Sequence, residues 1–297
     1  MELLQVFQSF TTQEQAVEYL EQARWHGKPL CPYCKSESVC RHASGDRAGV
    51  RWQCQSCHRA FAVTVGTIFH GTHIQLRDWF LLIALMLNAK KSASSCQIAR
   101  DLGIRQPTVW SMMHRVRVAM ANDTEQSALL HGIVEADETY VGGKPRKANR
   151  RQDDPPNKRG RGTKKTPVIG VVERGGRVVA MPARPGQLSA QGISKFIRRF
   201  VDKAGTLLIT DEFGGYNKVS AEMLHSRINH SVEYANGIIH TNTIEGFWAL
   251  VKRAWYGQHH YYSTKYMNLH ISEACYKYNQ RRARDSFGYT VARMLAA

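Results

Sequence analysis

The sequence predicts an α/β protein with a mixed sheet, preceded by a small cysteine-bearing module and a helical module. Three features support this prediction. Two Cys-x-x-Cys pairs lie near the amino terminus, residues 74–121 have the apolar spacing of helices, and short β-like segments begin after about residue 131. Because strands and helices alternate in this last part, we expect one mixed sheet with helices packed against it.

We divide the chain into four parts. Residues 1–28 should form one helix that Thr12 caps, residues 29–65 the cysteine module, residues 74–121 the helical module and residues 131–297 the α/β domain. The apolar stripe of the first helix consists of Ala16, Val17, Leu20 and Ala23. A chain of 297 residues with 43% hydrophobic residues is large enough for this arrangement.

The chain is strongly basic, with 41 Lys or Arg, 24 Asp or Glu and a formal net charge of +17 at pH 7. Such a charge indicates a polyanionic partner, although it can also serve solubility. The first residues lack the basic segment and apolar run of a secretory signal, and the longest apolar run, residues 79–87, is far shorter than the roughly 20 residues that span a bilayer. We therefore expect a cytoplasmic protein with no membrane partner.

Four of the seven cysteines form two Cys-x-x-Cys pairs that are separated by 19 residues. This spacing is typical of a structural zinc site, in which four thiolates surround Zn²⁺ and leave no open position. The predicted ligands are Cys31, Cys34, Cys54 and Cys57. Cys40, His42 and His58 lie nearby as less favoured substitutes, and accidental thiols or a redox pair are the alternatives.

The helical module has the spacing of a helix-turn-helix. Ser94 or Ser95 can cap one helix, Gly103 can turn the chain, and Pro107 suits the first turn of the next helix. In such modules the start of the second helix enters the major groove of DNA. The side chains expected to contact DNA are Arg105, Gln106, Thr108, Ser111 and Arg115. A plain helical hairpin with the same spacing is the alternative.

The α/β part begins with three β-like segments, continues with a helical segment and a fourth β-like segment, and ends in helical segments around a weaker strand candidate at residues 227–234. The predicted order is β, β, β, α, β, α, β, α. A basic loop, residues 144–166, separates the first two strands. It could be a solvated face, but we favour a DNA-backbone contact. Its proposed DNA contacts are Lys147, Arg150, Arg151, Lys158, Arg159 and Arg161.

Two of the predicted strands carry acids. Asp137 lies within the apolar segment GIVEADETYVGG, and Asp211 ends LLITD. Carboxylates at such places are costly unless they are paired, hydrogen-bonded or bound to a metal, so a cation between them is indicated. Glu135, Glu138 and Glu212 compete for the same role. Alternation along a strand excludes Glu138 more readily than Glu135, which shares a face with Asp137.

A third acid, Glu245, lies in the helical segment HTNTIEGFWALVKR, 34 positions after Asp211. Lys252 follows two helical turns later and should project from the same side of the helix. His240 and Asn242 precede Glu245 and could either contact DNA or cap the helix. The buried stripe predicted for this helix consists of Ile244, Phe247, Val251 and Trp255.

The order and spacing of these three acids resemble those of a D, D, about 35, E triad on a ribonuclease-H-like fold. The chain resembles the IS1595-type insertion-sequence transposases of bacteria, whose catalytic part is the ISXO2-like domain. ARWHGKPLCPYC and RWQCQSCHRAF are similar to the zinc ribbon of that family, VEADETYVGGK and TPVIGVVERGG to its first strands, and TDEFGGY, NTIEGFWALVKR and YKYNQRR to its later motifs. The segment QHHYYSTKYMNLH is less regular than its counterpart in the family.

The resemblance implies a DDE transposase on a ribonuclease-H-like fold. Asp137, Asp211 and Glu245 would be catalytic ligands of two Mg²⁺ ions, with Mn²⁺ as a substitute, and Lys252 would contact a phosphate. Some relatives carry Asn in place of the third acid. The implied partners are transposon ends and target DNA, bound by a dimer or higher oligomer at the bacterial nucleoid.

The sequence leaves two alternatives to a transposase. One is a DNA-binding regulator without catalysis, against which the presence of all three acids argues. The other is a ribonuclease-H-like nuclease that hydrolyses DNA without joining strands. The appearance of joined products distinguishes a transposase from the nuclease, and metal-independent binding without cleavage would indicate the regulator.

Overall fold

The structure, a computed structural model, describes residues 1–41, 52–125, 128–143, 163–184, 186–228, 237 and 239–295. The chain forms two compact units, one comprising residues 1–123 with 280–297 and the other residues 124–279. The last helix therefore groups with the amino-terminal modules, whereas the sequence predicted that the α/β domain extends to residue 297.

The amino-terminal segment forms two helices, α1 (Leu3–Ser9) and α2 (Gln13–Trp25), where the sequence predicted one. Thr12 is the reason for the break, because its backbone is extended and its side chain accepts a hydrogen bond from the amide of Gln15. The predicted cap is thus confirmed. Ala16, Val17 and Leu20 of the predicted stripe are buried.

A three-stranded antiparallel sheet follows in the order β1-β2-β3, formed by Val39–Arg41, Trp52–Cys54 and Ala60–Phe61. The remaining helices of this unit are α3 (Leu76–Asn88), α4 (Ser95–Leu102), α5 (Gln106–Glu125) and α9 (Ser286–Leu295). An aromatic cluster holds this unit together, since Phe80 of α3 contacts Phe10 and Phe287 with ring centroids 4.8 and 5.6 Å apart.

The second unit contains a five-stranded sheet in the order β6-β5-β4-β7-β8. Its strands are β4 (Ile133–Val141), β5 (Thr166–Glu173), β6 (Val178–Pro182), β7 (Leu207–Thr210) and β8 (His225–Arg227). β4, β5 and β6 pair antiparallel, whereas β7 pairs parallel with β4 and with β8. This mixed sheet, with three antiparallel strands followed by two parallel ones, is the ribonuclease-H-like fold that the sequence predicted.

Helices cover both faces of the sheet. α6 (Ala190–Phe200) packs on one face in a core that includes Val134 and Ala136. α7 (Asn242–Arg253) and α8 (Thr264–Asn279) pack on the other face in a core that includes Val168 and Val172. The strands therefore carry apolar residues on both sides.

The structure differs from the predicted element order between β7 and β8. Residues 211–224, all described, contain two short 3₁₀ helices, Gly214–Tyr216 and Val219–Ala221, where the sequence order included an α-helix. β8 overlaps the weaker strand candidate only at Arg227, and residues 229–234 of that candidate lie outside the described part of the chain. None of the helices in the described residues has the length and apolar character that a membrane crossing requires.

Candidate active site

Asp137 and Asp211 meet where the parallel pairing of β4 and β7 ends. The last paired residues are Ala136 and Thr210, so Asp137 is the first residue of β4 beyond this pairing and Asp211 is the first residue after β7. Oxygen atoms of Asp137, Glu138 and Asp211 all lie within 4.8 Å of one another. The structure thus brings together the two aspartates that the sequence singled out on separate strands.

Glu138 belongs to this acidic group and Glu135 does not, so the prediction that strand alternation excludes Glu138 more readily than Glu135 was wrong. Asp137 pairs with Gly170 and Glu138 with Ile169, so the two acids do leave β4 on opposite faces of the sheet. β7 has already ended at Thr210, however, and beyond that end both carboxylates lie close to Asp211. The hydroxyl of the buried Tyr216 donates to Glu138 Oε2 at 3.4 Å.

The electrostatics of this group suit a cation. Burial, together with the neighbouring carboxylates of Glu138 and Asp211, raises the pKa of Asp137 to about 7. Three half-buried carboxylates this close repel one another, and a divalent cation would relieve that repulsion. Carboxylate oxygens are also the ligands that Mg²⁺ prefers. The residues present therefore fit a magnesium site.

Trp248 holds Asp137 from the helix above it, a contact that the sequence did not indicate. Its indole N–H donates to Asp137 Oδ2 at 3.0 Å. The ring lies over Gly170, the cross-strand partner of Asp137, where an added Cβ would be 2.6 Å from Trp248 Cη2. Ile244, Phe247, Val251 and Trp255 are buried as predicted. Trp248 is the fourth residue after Ile244 and so lies on the same face, which is the signal that could have identified it.

Glu245 lies on the exposed side of α7 and is not part of the acidic group found among the described residues. Its carboxylate accepts a hydrogen bond from the Thr241 hydroxyl at 3.2 Å. Lys252 is also exposed, in the last turn of the same helix. Glu212, another rival for the metal, is exposed and lies outside the group.

Glu135, which the sequence offered as a possible metal ligand, contacts Arg174 and the start of α7 instead. Its side chain is fully buried, pairs with Arg174 and accepts hydrogen bonds from the first turn of α7. His240, whose role the sequence left open, joins this contact through Arg174. Asn242 is the first residue of α7.

A hydrogen-bonded chain fixes the backbone at Asp211. The Thr210 hydroxyl donates to the Asp211 carbonyl at 2.7 Å and lies 2.9 Å from His225 Nε2. Because the Thr210 hydroxyl gives its proton to the Asp211 carbonyl, its oxygen accepts a hydrogen bond from His225 Nε2. His225 Nδ1 then carries no proton and accepts a hydrogen bond from the Ser220 hydroxyl at 2.5 Å. Burial, and secondarily Arg227, lowers the pKa of His225 to about 4, so the ring is neutral at pH 7 as this chain requires.

The four predicted zinc ligands form a second group, with their sulfur atoms within 4.8 Å of one another. Cys31 Sγ lies 3.7 Å from Cys57 Sγ, and Cys34 Sγ lies 3.5 Å from Cys54 Sγ. Backbone amides, that of Cys57 above all, lower the pKa of Cys54 to about 6, which favours the thiolate that binds metal. Cys40 and His58 are outside this group, and His42 lies outside the described residues. Four thiolates so arranged fit a structural zinc ion.

We expect Cys34→Ser to remove zinc and to open the cysteine module, because three thiolates do not close the tetrahedron. The zinc content measured by atomic emission should fall from about one ion per chain to well below half, and limited proteolysis should begin to cut residues 29–65. Cys40→Ser is the matched control, since Cys40 lies outside the group, and it should keep its zinc. Equal zinc contents in the two variants would contradict this assignment.

The helical module has the predicted helix start at Ser94 and the predicted helix end at Gly103. Ser94 caps α4 by accepting from the amide of Gln97, and Gly103 ends α4 with φ of 66°. Arg105 and Ser111 are exposed and Thr108 is half-buried near the start of α5, whereas the Gln106 amide donates to Ser95 at 2.7 Å. The guanidinium of Arg115 donates to the His70 carbonyl at 2.6 Å and lies over the ring of Trp79. Arg115 therefore contacts the protein itself in this structure.

The basic loop carries the other proposed DNA contacts. The six side chains assigned to DNA contact, Lys147, Arg150, Arg151, Lys158, Arg159 and Arg161, lie outside the described residues. Their assignment rests on charge and position in the chain.

Comparison with known proteins gives matches for both parts of the chain. Residues 129–279 match the ISXO2-like transposase domain family, and residues 11–60 match the transposase zinc-ribbon domain family of the IS1595 type. A protein in the transposable element ISH50 of Halobacterium salinarum is 29% identical over 263 residues, which are 84% of this chain and 85% of that protein.

Two of the similar solved structures contain the Mos1 transposase. The Mos1 strand transfer complex is 13% identical over 73% of this chain and 75% of that chain, with a TM-score of 0.31. The mariner Mos1 paired end complex with Mg is 15% identical over 76% of this chain and 78% of that chain, with a TM-score of 0.30. These likenesses are distant, and the assignment rests on the family matches, which include the strands and the helix of the acidic site. The chain belongs to the ISXO2-like transposases of the IS1595 type.

Proposed function

We propose that this transposase binds the terminal inverted repeats of a bacterial insertion sequence and catalyses metal-dependent strand cleavage and strand transfer. The observation that carries the proposal is the convergence of Asp137 and Asp211 where the pairing of β4 and β7 ends, in a group where burial and the neighbouring carboxylates raise the pKa of Asp137 to about 7. A phosphodiester is anionic, so carboxylates at the reacting centre are useful only when they hold cations.

Asp137 and Asp211 would hold two Mg²⁺ ions, with Mn²⁺ as a substitute. When bound, the ions would neutralise charge on the phosphate and activate the attacking oxygen of water or of a 3′-hydroxyl. Glu245 is the proposed third acid, because the family pattern places it there, and Glu138 is the alternative that the present geometry supports. Lys252 would contact a phosphate near the reacting bond.

The DNA contacts proposed outside this site involve the start of α5 and the basic loop. Arg105, Thr108 and Ser111 would contact DNA at the start of α5, with Gln106 and Arg115 free to join only after leaving their present partners. The basic loop would lie along the DNA backbone. Because transposition joins two ends of one element, we propose a dimer or higher oligomer, acting at the nucleoid, with the zinc ribbon as a structural support.

The test uses the purified full chain and DNA that flanks its gene on both sides. We expect Mg²⁺ or Mn²⁺ to support nicking at the ends of an inverted repeat and joining of the freed 3′-end to a target plasmid. Nicks without joined products would indicate a nuclease and contradict the strand-transfer part of the proposal. Specific binding without cleavage in any divalent ion would indicate a DNA-binding regulator.

A further inference from the structure

We propose that Glu135 is a positioning residue that attaches the start of α7 to the strand of Asp137 and so sets the places of Trp248 and Glu245. This inference deepens the proposed function and rests on it for its catalytic consequence. Its structural part is independent of any reaction. Glu135 and Asp137 lie two residues apart on β4 and on the same face of the sheet, the face on which α7 packs.

Glu135 supplies the cap that α7 lacks from its own sequence. Thr241 occupies the N-cap position, but its side chain makes no capping bond and its hydroxyl donates to Glu245 instead. The amides of the first turn, which have no partner within the helix, are satisfied from the sheet below it. Glu135 Oε2 accepts from the amides of Thr243 and Ile244 at 2.8 and 3.0 Å, and Glu135 Oε1 accepts from the Thr243 hydroxyl at 2.8 Å.

A cation and the segment before α7 complete this contact. Arg174, the residue after β5, donates through Nε to Glu135 Oε1 at 2.6 Å and through its terminal nitrogen to the His240 carbonyl at 2.8 Å. The same nitrogen lies 2.9 Å from His240 Nδ1, which is itself 3.4 Å from Glu135 Oε1. Arg174 thereby connects β5, Glu135 and the residue that leads into α7.

The negative charge of Glu135 is essential to this arrangement. A fully buried carboxylate is costly unless partners surround it, and here those partners are a guanidinium, two amides at a helix amino terminus and a hydroxyl. Because charge-assisted hydrogen bonds are short and directional, they fix the angle as well as the position of the helix. One and a half turns further along, Trp248 reaches Asp137, so a shift of the first turn displaces the contact that holds a metal-binding acid.

The test compares Glu135→Gln with Glu273→Gln in the full chain without DNA or metal. Glu273 is a matched control, because it is 1% exposed and pairs with Lys277 on α8 of the same unit. Backbone amide exchange of peptides from residues 242–250, measured by mass spectrometry, should become about tenfold faster or more in Glu135→Gln, since two amides lose a charged acceptor. It should be unchanged in Glu273→Gln, whose effect should stay on α8.

Unchanged exchange of α7 in Glu135→Gln, or equal changes of α7 in both variants, would overturn the inference. Thr243→Val provides a second measurement if Glu135→Gln does not fold. It removes one hydroxyl bond to Glu135, and we expect a smaller acceleration of the same peptides. Invariant exchange in Thr243→Val would count equally against the proposal.

Catalysis provides a separate measurement. In the DNA cleavage assay, Glu135→Gln should raise the Mg²⁺ concentration at half-maximal rate by about tenfold, because Asp137 is held less well, whereas Glu273→Gln should not. If the wild-type chain cleaves no DNA, the proposed function fails while the exchange measurement still decides the positioning role. If it cleaves DNA and Glu135→Gln has normal metal dependence, the catalytic part of the inference is overturned.

Discussion

Asp137→Asn should lower the rate of metal-dependent strand cleavage by about a thousandfold or more, which corresponds to about 4 kcal/mol of transition-state stabilisation. The substitution keeps the shape of the side chain and an oxygen that can accept from Trp248, but it removes the charge that binds the cation. The rate is measured on end-containing DNA under single-turnover conditions.

The same substitution should not destabilise the folded chain. The pKa of Asp137 is raised to about 7, so above that pH its charged form is disfavoured in the folded protein relative to the unfolded one. Replacement by a neutral group removes this penalty, and the thermal midpoint at pH 8 without metal should be equal to or higher than that of the wild type. Mg²⁺ should raise the midpoint of the wild type but not of the variant. A lower midpoint would mean that lost cleavage reflects misfolding.

The third acid is decided by two further variants in the same assay. The family pattern favours Glu245, whereas the present geometry places Glu138 beside the aspartates. We expect Glu245→Gln to lose cleavage to a similar degree as Asp137→Asn, and Glu138→Gln to lose less. Full activity of Glu245→Gln together with loss in Glu138→Gln would transfer the role to Glu138.

The sequence predicted those features that depend on local pattern. Short β-like segments predicted the central strands, and the two Cys-x-x-Cys pairs predicted the cysteine group. Thr12 and Gly103 predicted a helix start and a helix end that the structure confirms. An acid within one core strand and an acid at the end of another also indicated that Asp137 and Asp211 share a cation, and the two strands proved to be parallel neighbours.

The sequence did not predict features that depend on distant pairing. Glu138 joins the acidic group where β4 extends beyond the end of β7 at Thr210, and alternation along β4 alone does not show which neighbouring strand ends beside it. The role of Glu135 depends on a helix that begins more than 100 residues later, as its bonds to Thr243 and Ile244 show. An apolar strand can contain a buried acid for a metal or for a helix cap, and only the fold distinguishes the two.

Gly170 shows how closely the acidic site depends on packing behind it. Gly170 is the cross-strand partner of Asp137, and an added Cβ would lie 2.6 and 2.9 Å from Cη2 and Cζ2 of Trp248 and 3.1 Å from Cβ of Ala180. Contacts shorter than 3.0 Å require movement. The Trp248 ring is buried and hydrogen-bonded to Asp137, so it cannot move without loss.

We therefore expect Gly170→Ala to destabilise the chain by about 1–3 kcal/mol through overpacking. Cleavage should fall by about a hundredfold, because the displaced indole no longer holds Asp137 in place. Urea unfolding measures the first effect and single-turnover cleavage the second. The matched control is Gly246→Ala on α7, where an added Cβ meets nothing within 4 Å and should leave stability equal or higher by up to about 1 kcal/mol.

A double variant separates the steric effect of the added methyl group at position 170 from the loss of the hydrogen bond between Trp248 and Asp137. Phenylalanine has no atoms at the positions of Trp248 Cη2 and Cζ2, so Trp248→Phe makes room for the new methyl group. Gly170→Ala with Trp248→Phe should therefore be more stable than the sum of the two single effects predicts. Its cleavage should stay low, because phenylalanine cannot donate to Asp137. Additive stabilities would show that the ring and the glycine are not in contact, whereas recovered cleavage would show that the indole hydrogen bond has no part in placing Asp137.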